Sequence, residues 1–341
     1  MSQQPWLLCV APMLDWTDRH CRYFHRQLSR HARLYTEMVT TGALLHGDVP
    51  KHLDFNPQEH PVALQLGGSE PDELARCAKL AEQWGYDEIN LNCGCPSERV
   101  QRGAFGACLM NEAGLVAHSV KAMRDAVNLP ITVKHRIGIG RIEAYGFVRD
   151  FVGLVAEAGC NVFIVHARNA WLEGLSPKEN REVPPLRYEH VYRLKQEFPQ
   201  LTIVINGGIS TTQQMAAHLA EVDGIMIGRQ AYQSPWSLAS WDEKFYGTPS
   251  PVATREDAEA HMVDYMLRCQ SRGEPWSRVA RHILGLWNGE PGARRWRQVW
   301  SDHRLKHLSP HEVATLAQKA RQSFPCDDPS RTDAKSGVIA P

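Results

Sequence analysis

The sequence lacks the features that mark membrane, secreted and strongly charged proteins. Its 38 basic and 38 acidic residues balance, so the overall charge does not point to nucleic acid, although a local basic patch would still allow binding. No window holds the long uncharged apolar run of a membrane helix, and Met1–Gln4 is not a basic region followed by an apolar core. We therefore expect a cytoplasmic protein without a membrane span or a secretion signal.

A disulfide framework is also missing. The nine cysteines are odd in number and form no repeating pattern, which fits reduced thiols rather than disulfides. With 341 residues, of which 43% are hydrophobic and 22% charged, the composition is that of an ordinary soluble globular protein. The length indicates two domains, or one large domain with an appendage.

Eight apolar segments have the length and flanking residues of β-strands, and helix-like stretches lie between most of them. Alternating strands and helices over roughly 240 residues predict an α/β fold in which a parallel sheet closes into a (β/α)8 TIM barrel. An open doubly wound sheet is the alternative, but no glycine fingerprint follows the first strand, where Ala11–Met13 stands. The predicted strands are Leu7–Met13, Arg33–Thr40, Val62–Gly67, Glu88–Cys93, Ile131–Arg136, Val162–His166, Thr202–Asn206 and Gly224–Gly228.

The pattern changes after Tyr246, where Gly247–Pro251 is a turn-rich linker and no further strand candidate follows. Four helix-like segments then predict a smaller all-helical C-terminal domain. We divide the chain into a barrel at residues 1–246, a helical domain at 247–324 and a disordered polar tail at 325–341. The predicted helices are Arg255–Ser271, Val279–Trp287, Gly292–Asp302 and Pro310–Ser323.

The segment Asn90–Ser97 places amides and two thiols at the end of the fourth predicted strand. Pro96 cannot extend a sheet ladder, so the strand is expected to stop near Cys95. The carboxyl ends of barrel strands form the active-site face, which makes Cys95 a candidate reactive group. Burial as a small hydrophobe is the structural alternative. Zinc fits poorly, because a single residue separates Cys93 from Cys95, and we predict no metal site.

Polar residues stand at the carboxyl ends of most other strands, and in a barrel these ends meet at one mouth. A lone lysine or histidine there usually makes a structural hydrogen bond, but the whole set points to a binding site. Glycines after strands seven and eight would let backbone N–H groups approach an anion, so a phosphorylated ligand is expected there. The set comprises Gln65, Asn92, Cys95, Lys134, Arg136, His166, Arg168, Asn206, Gly207, Gly208, Gly228 and Arg229.

Eight short motifs follow the strands in order: Ala11–Asp18, Leu64–Gly68, Ile89–Ser97, Arg102–Leu109, Val133–Gly138, His166–Arg168, Asn206–Ile209 and Ile227–Arg229. Their residue sequences resemble, over nearly the whole chain, those of the tRNA-dihydrouridine synthases, flavin enzymes that reduce uridines in tRNA. Within that family, the segment Arg168–Arg181 is most similar to the bacterial synthase A subfamily. This resemblance implies targets at positions 20 and 20a of the tRNA D-loop.

The resemblance implies an FMN cofactor that NADPH reduces. Lys134 would place a cation near the negative charge of reduced flavin, and Gln65 would offer a donor and an acceptor to the polar edge of the ring. No separate nicotinamide fold is found, so NADPH is expected at the same open flavin face. By resemblance, the FMN residues are Ala11, Pro12, Met13, Gln65, Lys134, His166, Asn206, Gly207, Gly208, Gly228 and Arg229.

The resemblance also gives the thiol a role. Reduction of the uracil 5,6 double bond takes a hydride at C6 from flavin N5 and a proton at C5 from the opposite face, and Cys95 matches the family's general acid. A free thiol has a pKa of about 8.5, so most of it carries the proton at neutral pH. Cys93 is the competing assignment, but the family pattern places its acid just before the proline. Asn92 and His166 would orient or polarise the uracil.

A base inside folded tRNA must be extruded to reach a flavin in a barrel mouth, which calls for further binding surface. The segment from Arg268 to His307 contains nine basic and three acidic residues, with four tryptophans between them. Alternatively, the tryptophans form a core and the arginines a solvated face. The residues expected to contact tRNA are Asn92 in the mouth, Lys178, Glu179 and Arg181 on the loop after strand six, and Arg294, Arg295 and Arg297.

Two other functions fit parts of the pattern. A flavin barrel acting on a free pyrimidine or enone would share the FMN residues but would not need a basic helical appendage. A non-catalytic RNA-binding module would keep the barrel as a scaffold. A yellow purified protein would argue against the second, and reduction of tRNA but not of free uridine against the first. We expect a monomeric enzyme whose partner is tRNA.

Overall fold

The computed structural model describes residues 4–97, 101, 103–141 and 144–323, so the tail predicted at 325–341 lies outside the described residues. Eight parallel strands follow one another around a closed barrel, and the last pairs with the first. The predicted fold class, a (β/α)8 barrel followed by helices, is confirmed. The strands are β1 (Leu8–Val10), β2 (Arg33–Thr40), β3 (Val62–Gly67), β4 (Glu88–Cys93), β5 (Ile131–Arg136), β6 (Val162–His166), β7 (Thr202–Asn206) and β8 (Gly224–Ile227).

Strands β2 to β7 have the predicted bounds, whereas β1 and β8 are shorter than predicted. The N–H of Ala11 still donates to the carbonyl oxygen of Ile227 at 2.8 Å, but Pro12 has no N–H and ends the ladder there. Gly228 leaves the extended region with φ −99° and ψ −111°, so β8 stops at Ile227. Both strands therefore turn into loops sooner than the apolar pattern predicts.

Helices cover the outside of the barrel, and four of the described ones begin at side-chain caps. Asp18 caps the first helix by accepting from the N–H groups of His20 and Cys21, and Thr211 forms a capping box with Gln214. These bonds satisfy N–H groups that have no partner within the helix. The helices are α1 (Arg19–Leu28), α2 (Thr41–His46), α3 (Val49–Leu53), α4 (Pro71–Gln83), α5 (Ala113–Ala126), α6 (Tyr145–Glu157), α7 (Tyr188–Glu197), α8 (Thr212–Leu219) and α9 (Arg229–Gln233).

The barrel interior holds an apolar cluster and, where the strands begin, a buried ion pair. Glu88 is fully buried, lies 3.1 Å from Arg33 and accepts from the indole N–H of Trp6 at 2.7 Å. Such partners are needed, because burying a carboxylate alone costs several kcal/mol. The apolar cluster consists of Cys9, Ala11, Tyr35, Ala63, Val162, Ile164, Val204 and Met226.

The barrel unit continues past its last strand. A π-helical turn at Asp242–Tyr246 is anchored by Asp242, whose carboxylate accepts from the hydroxyl of Ser29 at 2.6 Å and from the N–H of Arg30 at 2.7 Å. The chain divides into two compact units after Ala253. The segment Gly247–Pro251, predicted as a linker after residue 246, therefore belongs to the first unit.

The second unit begins at Thr254, and its described part, which ends at Ser323, consists of helices and turns. Gly292 has a φ of +77° and precedes its helix rather than joining it, so that helix starts one residue later than predicted. None of the helices in the described residues is long and apolar enough to cross a membrane. The helices are α10 (Arg255–Ser271), α11 (Ser277–Ile283), α12 (Ala293–Trp300) and α13 (Pro310–Gln322).

A buried carboxylate organises the second unit. Glu259 is 3% exposed, and its Oε1 atom accepts from the indole N–H groups of Trp296 at 2.8 Å and Trp300 at 3.0 Å. Burial raises the pKa of Glu259. Trp276 and Trp287 are buried as well, so the expectation that the tryptophans of the basic segment form a core is confirmed.

Candidate active site at the barrel mouth

The polar residues at the strand ends meet at the mouth of the barrel. The amide nitrogen of Asn92 donates to Gln65 Oε1 at 2.8 Å, and Lys134 Nζ donates to Asn206 Oδ1 at 3.4 Å. His166 pairs with Asn206 in the register of β6 and β7. Five side chains predicted from separate motifs are therefore neighbours across β3 to β7.

Cys95 lies on a short loop just beyond β4, and Asn92 holds this loop in place. The Oδ1 atom of Asn92 accepts from the backbone N–H groups of Gly94 at 3.1 Å and of Cys95 at 3.0 Å. The Cys95 side chain is partly exposed, and its Sγ lies 3.5 Å from Ser97 Oγ. Cys93 is fully buried, and burial raises the pKa of its thiol far above the usual range. Of these two thiols, only Cys95 is accessible.

Arg136 joins the Cys95 loop to the loop after β6. It is 3% exposed; its Nε donates to the carbonyl oxygen of Gly94 at 3.0 Å, and its Nη1 donates to those of Asn169 and Asn180, both at 2.9 Å. Burial lowers the pKa of Arg136 to about 10, so the guanidinium stays charged at neutral pH. The strand-end pattern singled out Arg136 but gave it no role; its partners are backbone carbonyls of remote loops, which no motif reveals.

The mouth carries an excess of positive charge. Burial, reinforced by the nearby Arg136, lowers the pKa of Lys134 to about 8, so the amine is still mostly protonated at neutral pH. Burial together with the charges of Arg136, Lys134 and Arg168 lowers the pKa of His166 well below its usual value, which leaves a neutral imidazole. A bound anion would offset the cost of bringing these cations together.

The loops after β7 and β8 form a backbone cradle beside these cations. Both residues of the Gly207–Gly208 pair have left-handed φ angles, and a Cβ at Gly207 would come within 2.8 Å of the His166 ring. Gly228 lies against the loop after β1, since a Cβ there would be 3.8 Å from Ala11 Cβ and 4.0 Å from Met13 Sδ. The pairing of Asn206 with Met226 places the ends of β7 and β8 side by side, so the two glycine loops are neighbours, and backbone N–H groups in such loops suit a phosphorylated ligand.

Arg229, the arginine predicted to bind phosphate, has a partner within the protein. Its Nη1 lies 2.5 Å from Glu182 Oε1, and its Nη2 donates to the carbonyl oxygen of Arg181 at 3.3 Å. The side chains of Arg229 and Glu182 are 35% and 48% exposed. An ion pair this exposed contributes about 0–1 kcal/mol, so a phosphate can replace the carboxylate.

The loop after β6 is built around the buried Asn180. The amide nitrogen of Asn180 donates to the carbonyl oxygen of Trp171 at 2.9 Å, and its Oδ1 accepts from the N–H of the same residue at 2.9 Å. Glu179, predicted to contact tRNA, accepts from the N–H of Ser176 at 2.8 Å and thereby caps the loop. This carboxylate therefore has a structural role within the loop, which the sequence did not reveal.

A cavity of about 690 Å³ lies where this loop approaches the Cys95 loop. It is lined by Pro96 and by Leu172–Pro177. Lys178 and Arg181, also predicted to contact tRNA, follow directly in the chain and are exposed. Two basic side chains therefore stand close in sequence to a cavity whose wall includes Pro96, the residue after Cys95.

The remaining residues predicted to contact tRNA lie on α12 in the second unit. Arg294 and Arg295 are exposed, and Arg297 is half-buried. Arg295 Nη1 donates to the carbonyl oxygen of Ser323 at 2.7 Å. Within the part of the chain that the structure describes, neither Arg294 nor Arg297 forms an ion pair. Their charges are thus available to phosphates.

Sequence reasoning gave no role to the tip of the loop after β1. Leu14 is 69% exposed there, and the following Asp15 has a φ of +63°. The N–H of Asp15 donates to Glu37 Oε1 at 2.5 Å, which supports this strained backbone. Aspartate tolerates the left-handed region better than most residues, but the conformation itself cannot be read from the sequence.

A model of the dihydrouridine synthase (Dus) family matches residues 9–323, a range that runs through both units. The chain belongs to this family. The resemblance found in the motifs is confirmed, and with it the prediction of an enzyme.

Three relatives match along most of their own length, each a tRNA-dihydrouridine(20/20a) synthase. That of Yersinia pestis is 58% identical over 298 residues, covering 87% of this chain and 86% of the relative. That of Pseudomonas aeruginosa is 59% identical over 304 residues, covering 89% and 92%. That of Synechocystis sp. is 53% identical over 318 residues, covering 93% and 95%.

A solved structure of 2-naphthoyl-CoA reductase in complex with 2-naphthoyl-CoA resembles the barrel. Its TM-score is 0.54 at 11% identity, and the match covers 71% of this chain and 50% of that one. At this identity the likeness shows the fold alone.

We expect the Arg136→Lys substitution to loosen the loop after β6. Lysine keeps the charge but cannot reach three carbonyls at once, and loss of two charge-assisted hydrogen bonds costs about 3 kcal/mol. Amide hydrogen exchange within residues 169–181, measured by mass spectrometry, should then speed up by about 100-fold. The Arg149→Lys variant, which changes an exposed arginine on α6, is the control. Unchanged protection in the Arg136 variant would contradict this role.

Proposed function

We propose that the protein is an FMN-dependent enzyme that uses NADPH to reduce uridine to 5,6-dihydrouridine in the D-loop of tRNA, at positions 20 and 20a. The observation that carries this proposal is an accessible thiol, Cys95, beside a half-buried cation, Lys134, with which no described carboxylate pairs. The family and the names of relatives at 53–59% identity support the choice of substrate.

The donors at the mouth suit FMN. Lys134 would supply positive charge to a ligand that becomes more negative on reduction, and Gln65 would hydrogen-bond its polar edge. When bound, the flavin supplies the hydride, which it receives from NADPH. The residues proposed to hold it are Ala11, Pro12, Met13, Gln65, Lys134, His166, Asn206, Gly207, Gly208, Gly228 and Arg229.

Cys95 is the proposed general acid. Its Sγ–H would donate a proton to uracil C5, which leaves a thiolate. Lys134 and Arg136 are close enough for the Cys95 charge to act on their pKa values, so both cations would stabilise that thiolate. The fully buried Cys93 cannot fill this role without a rearrangement of its strand.

Asn92 and His166 are the proposed partners of the uracil. The oxygen of Asn92 is occupied by two backbone N–H groups, and one amide hydrogen goes to Gln65, so its second amide hydrogen is the one left for a uracil carbonyl. His166 would act as a neutral imidazole. Both side chains would therefore orient the base without adding net charge.

The target base would be extruded from the tRNA, at an unstacking cost of a few kcal/mol. Phosphate contacts would offset that cost. Basic residues that would make these contacts lie on the loop after β6, at Lys178 and Arg181, and on α12, at Arg294, Arg295 and the half-buried Arg297. A monomeric state and a cytoplasmic location stay predictions.

We expect Cys95→Ala to retain FMN and to lower the rate of dihydrouridine formation by about 10²- to 10⁴-fold, the usual contribution of a general acid. Single-turnover reduction of unmodified tRNA, with dihydrouridine counted by mass spectrometry, measures this rate. The Cys108→Ala variant removes the other partly exposed thiol of the described residues and should react at the normal rate. Normal activity of Cys95→Ala, or its loss in Cys93→Ala alone, would overturn the assignment.

We expect FMN to bind the apoprotein about tenfold more weakly at pH 9 than at pH 7, because free Lys134, with a pKa of about 8, loses its proton over that range. A bound anion favours the protonated amine, so affinity falls as pH rises. The Lys134→Met variant should bind weakly and without this dependence, whereas Lys121→Met, on the exposed face of α5, should behave as the parent. Titration by flavin fluorescence decides; an identical pH profile in Lys134→Met would refute it.

We expect a triple alanine variant of Arg294, Arg295 and Arg297 to bind tRNA with a weaker salt dependence. Each phosphate contact contributes about 0.7–0.9 to the slope of log K against log salt, so the slope should fall by about 2. Fluorescence anisotropy at several salt concentrations measures this slope, and a double alanine variant of Arg149 and Arg193, on the barrel helices, is the control. An unchanged slope in the triple variant would exclude α12 as the phosphate-binding face.

A further inference from the structure

A continuous line of hydrogen bonds crosses the barrel interior from the start of β4 to the mouth. It begins at Glu88, where the hydroxyl of Thr132 donates to Oε1 at 2.5 Å. The amide nitrogen of Asn90 donates to Thr132 Oγ1 at 2.8 Å, and that of Gln65 donates to Asn90 Oδ1 at 2.7 Å. Asn92 Nδ2 then donates to Gln65 Oε1 at 2.8 Å. All five residues are at least 92% buried, so water does not substitute for these bonds.

The line ends in the loop that carries the accessible thiol. Asn92 Oδ1 accepts from the N–H groups of Gly94 and Cys95. These are two of the bonds that hold this loop at the mouth, in addition to the contact of Arg136 with the Gly94 carbonyl. The position of the Cys95 backbone is thus linked, residue by residue, to a carboxylate at the opposite end of the barrel.

The two ends of the line determine its direction. A primary amide can donate or accept on either side, so three amides in a row could point either way along the barrel. A carboxylate is an acceptor only, which makes the Thr132 hydroxyl donate to Glu88 and accept from Asn90. A backbone N–H is a donor only, which turns the Asn92 oxygen toward the loop. Both ends impose the same direction, and a line of aligned bonds strengthens cooperatively.

We propose that Glu88 is a positioning residue for Cys95: by setting the direction of the amide line it commits the Asn92 oxygen to the Cys95 loop and leaves an amide hydrogen facing the ligand. Arg33, 3.1 Å away, and the hydroxyl of Tyr35, which donates to Glu88 Oε1 at 2.8 Å, hold the carboxylate in place. The consequence for catalysis rests on the proposed function, but the effect on the loop does not.

The test breaks the line at two points. Glu88→Gln replaces the obligate acceptor by an amide of similar shape that can also donate, and Thr132→Val removes the hydroxyl without touching the ion pair. In both variants we expect the Cys95 loop to loosen and iodoacetamide to alkylate Cys95 at least threefold faster, with Cys108 as the internal reference. The full-length protein is labelled with and without FMN, and mass spectrometry follows each thiol. We also expect kcat for tRNA reduction to fall at least tenfold at an unchanged KM for tRNA.

Two variants separate this effect from a general loss of stability. Glu59→Gln removes a carboxylate that is equally buried and lies 2.6 Å from Arg22, outside the line, and should leave Cys95 labelling and kcat unchanged. Thr132→Ser keeps the hydroxyl and should restore parental labelling. Parental labelling and kcat in folded Thr132→Val would overturn the proposal, as would equal changes in Glu59→Gln. A parent protein that does not reduce tRNA, with labelling that still responds to Thr132→Val, would refute the proposed function and retain the inference.

Discussion

Polar groups enclosed by a barrel must find their partners inside it, and the geometry of the mouth depends on how they do so. Arg136 has three backbone carbonyls in place of a counter-ion, and those carbonyls belong to the two loops that border the cavity. The amides of Gln65 and Asn92 bond to each other, and the Asn92 oxygen also accepts from the Cys95 loop. The loops at the mouth are therefore held largely from the interior, by side chains of strands whose own positions the sheet fixes.

The same enclosure leaves a charge imbalance that a ligand would relieve. Lys134 and Arg136 lie close together, and burial lowers the pKa of each. In the described residues neither of them pairs with an acid. In a protein that served only as a scaffold, such an arrangement would lower stability without compensation. A group that binds only the folded state stabilises it in proportion to its binding free energy. An anionic cofactor would therefore offset the repulsion between the two cations. The charge pattern thus favours a ligand-binding barrel over a barrel kept as scaffold.

The sequence predicts the parts of this structure that follow from local patterning. Strands β2 to β7 have their predicted bounds because apolar runs end at polar or turn residues, and α10 because Thr254 and Asp257 form a capping box. The partners of polar side chains depend instead on loop conformations remote in sequence. Asn92 was expected to contact substrate, and its oxygen also holds a loop; Arg229 was expected to contact phosphate, and it also pairs with Glu182. Patterning rules place a residue at a strand end but do not choose among the neighbours it meets there.

The two thiols of the Cys-Gly-Cys segment differ in burial because Cys93 ends strand β4 and Cys95 lies on the loop beyond it. Side chains alternate between the two faces of a strand, so Glu88, Asn90 and Asn92 share the inner face of β4. Cys93, one residue further, falls on the other face with Leu91 and is fully buried. Its thiol has a raised pKa and no access to a ligand. Cys95 lies beyond the last paired residue, where the Asn92 oxygen rather than the sheet fixes its backbone. A register shift of one residue would turn Cys93 toward the barrel interior and Asn90 and Asn92 away from it, so the buried amides that fix the register also keep the Cys93 thiol away from a ligand in the barrel.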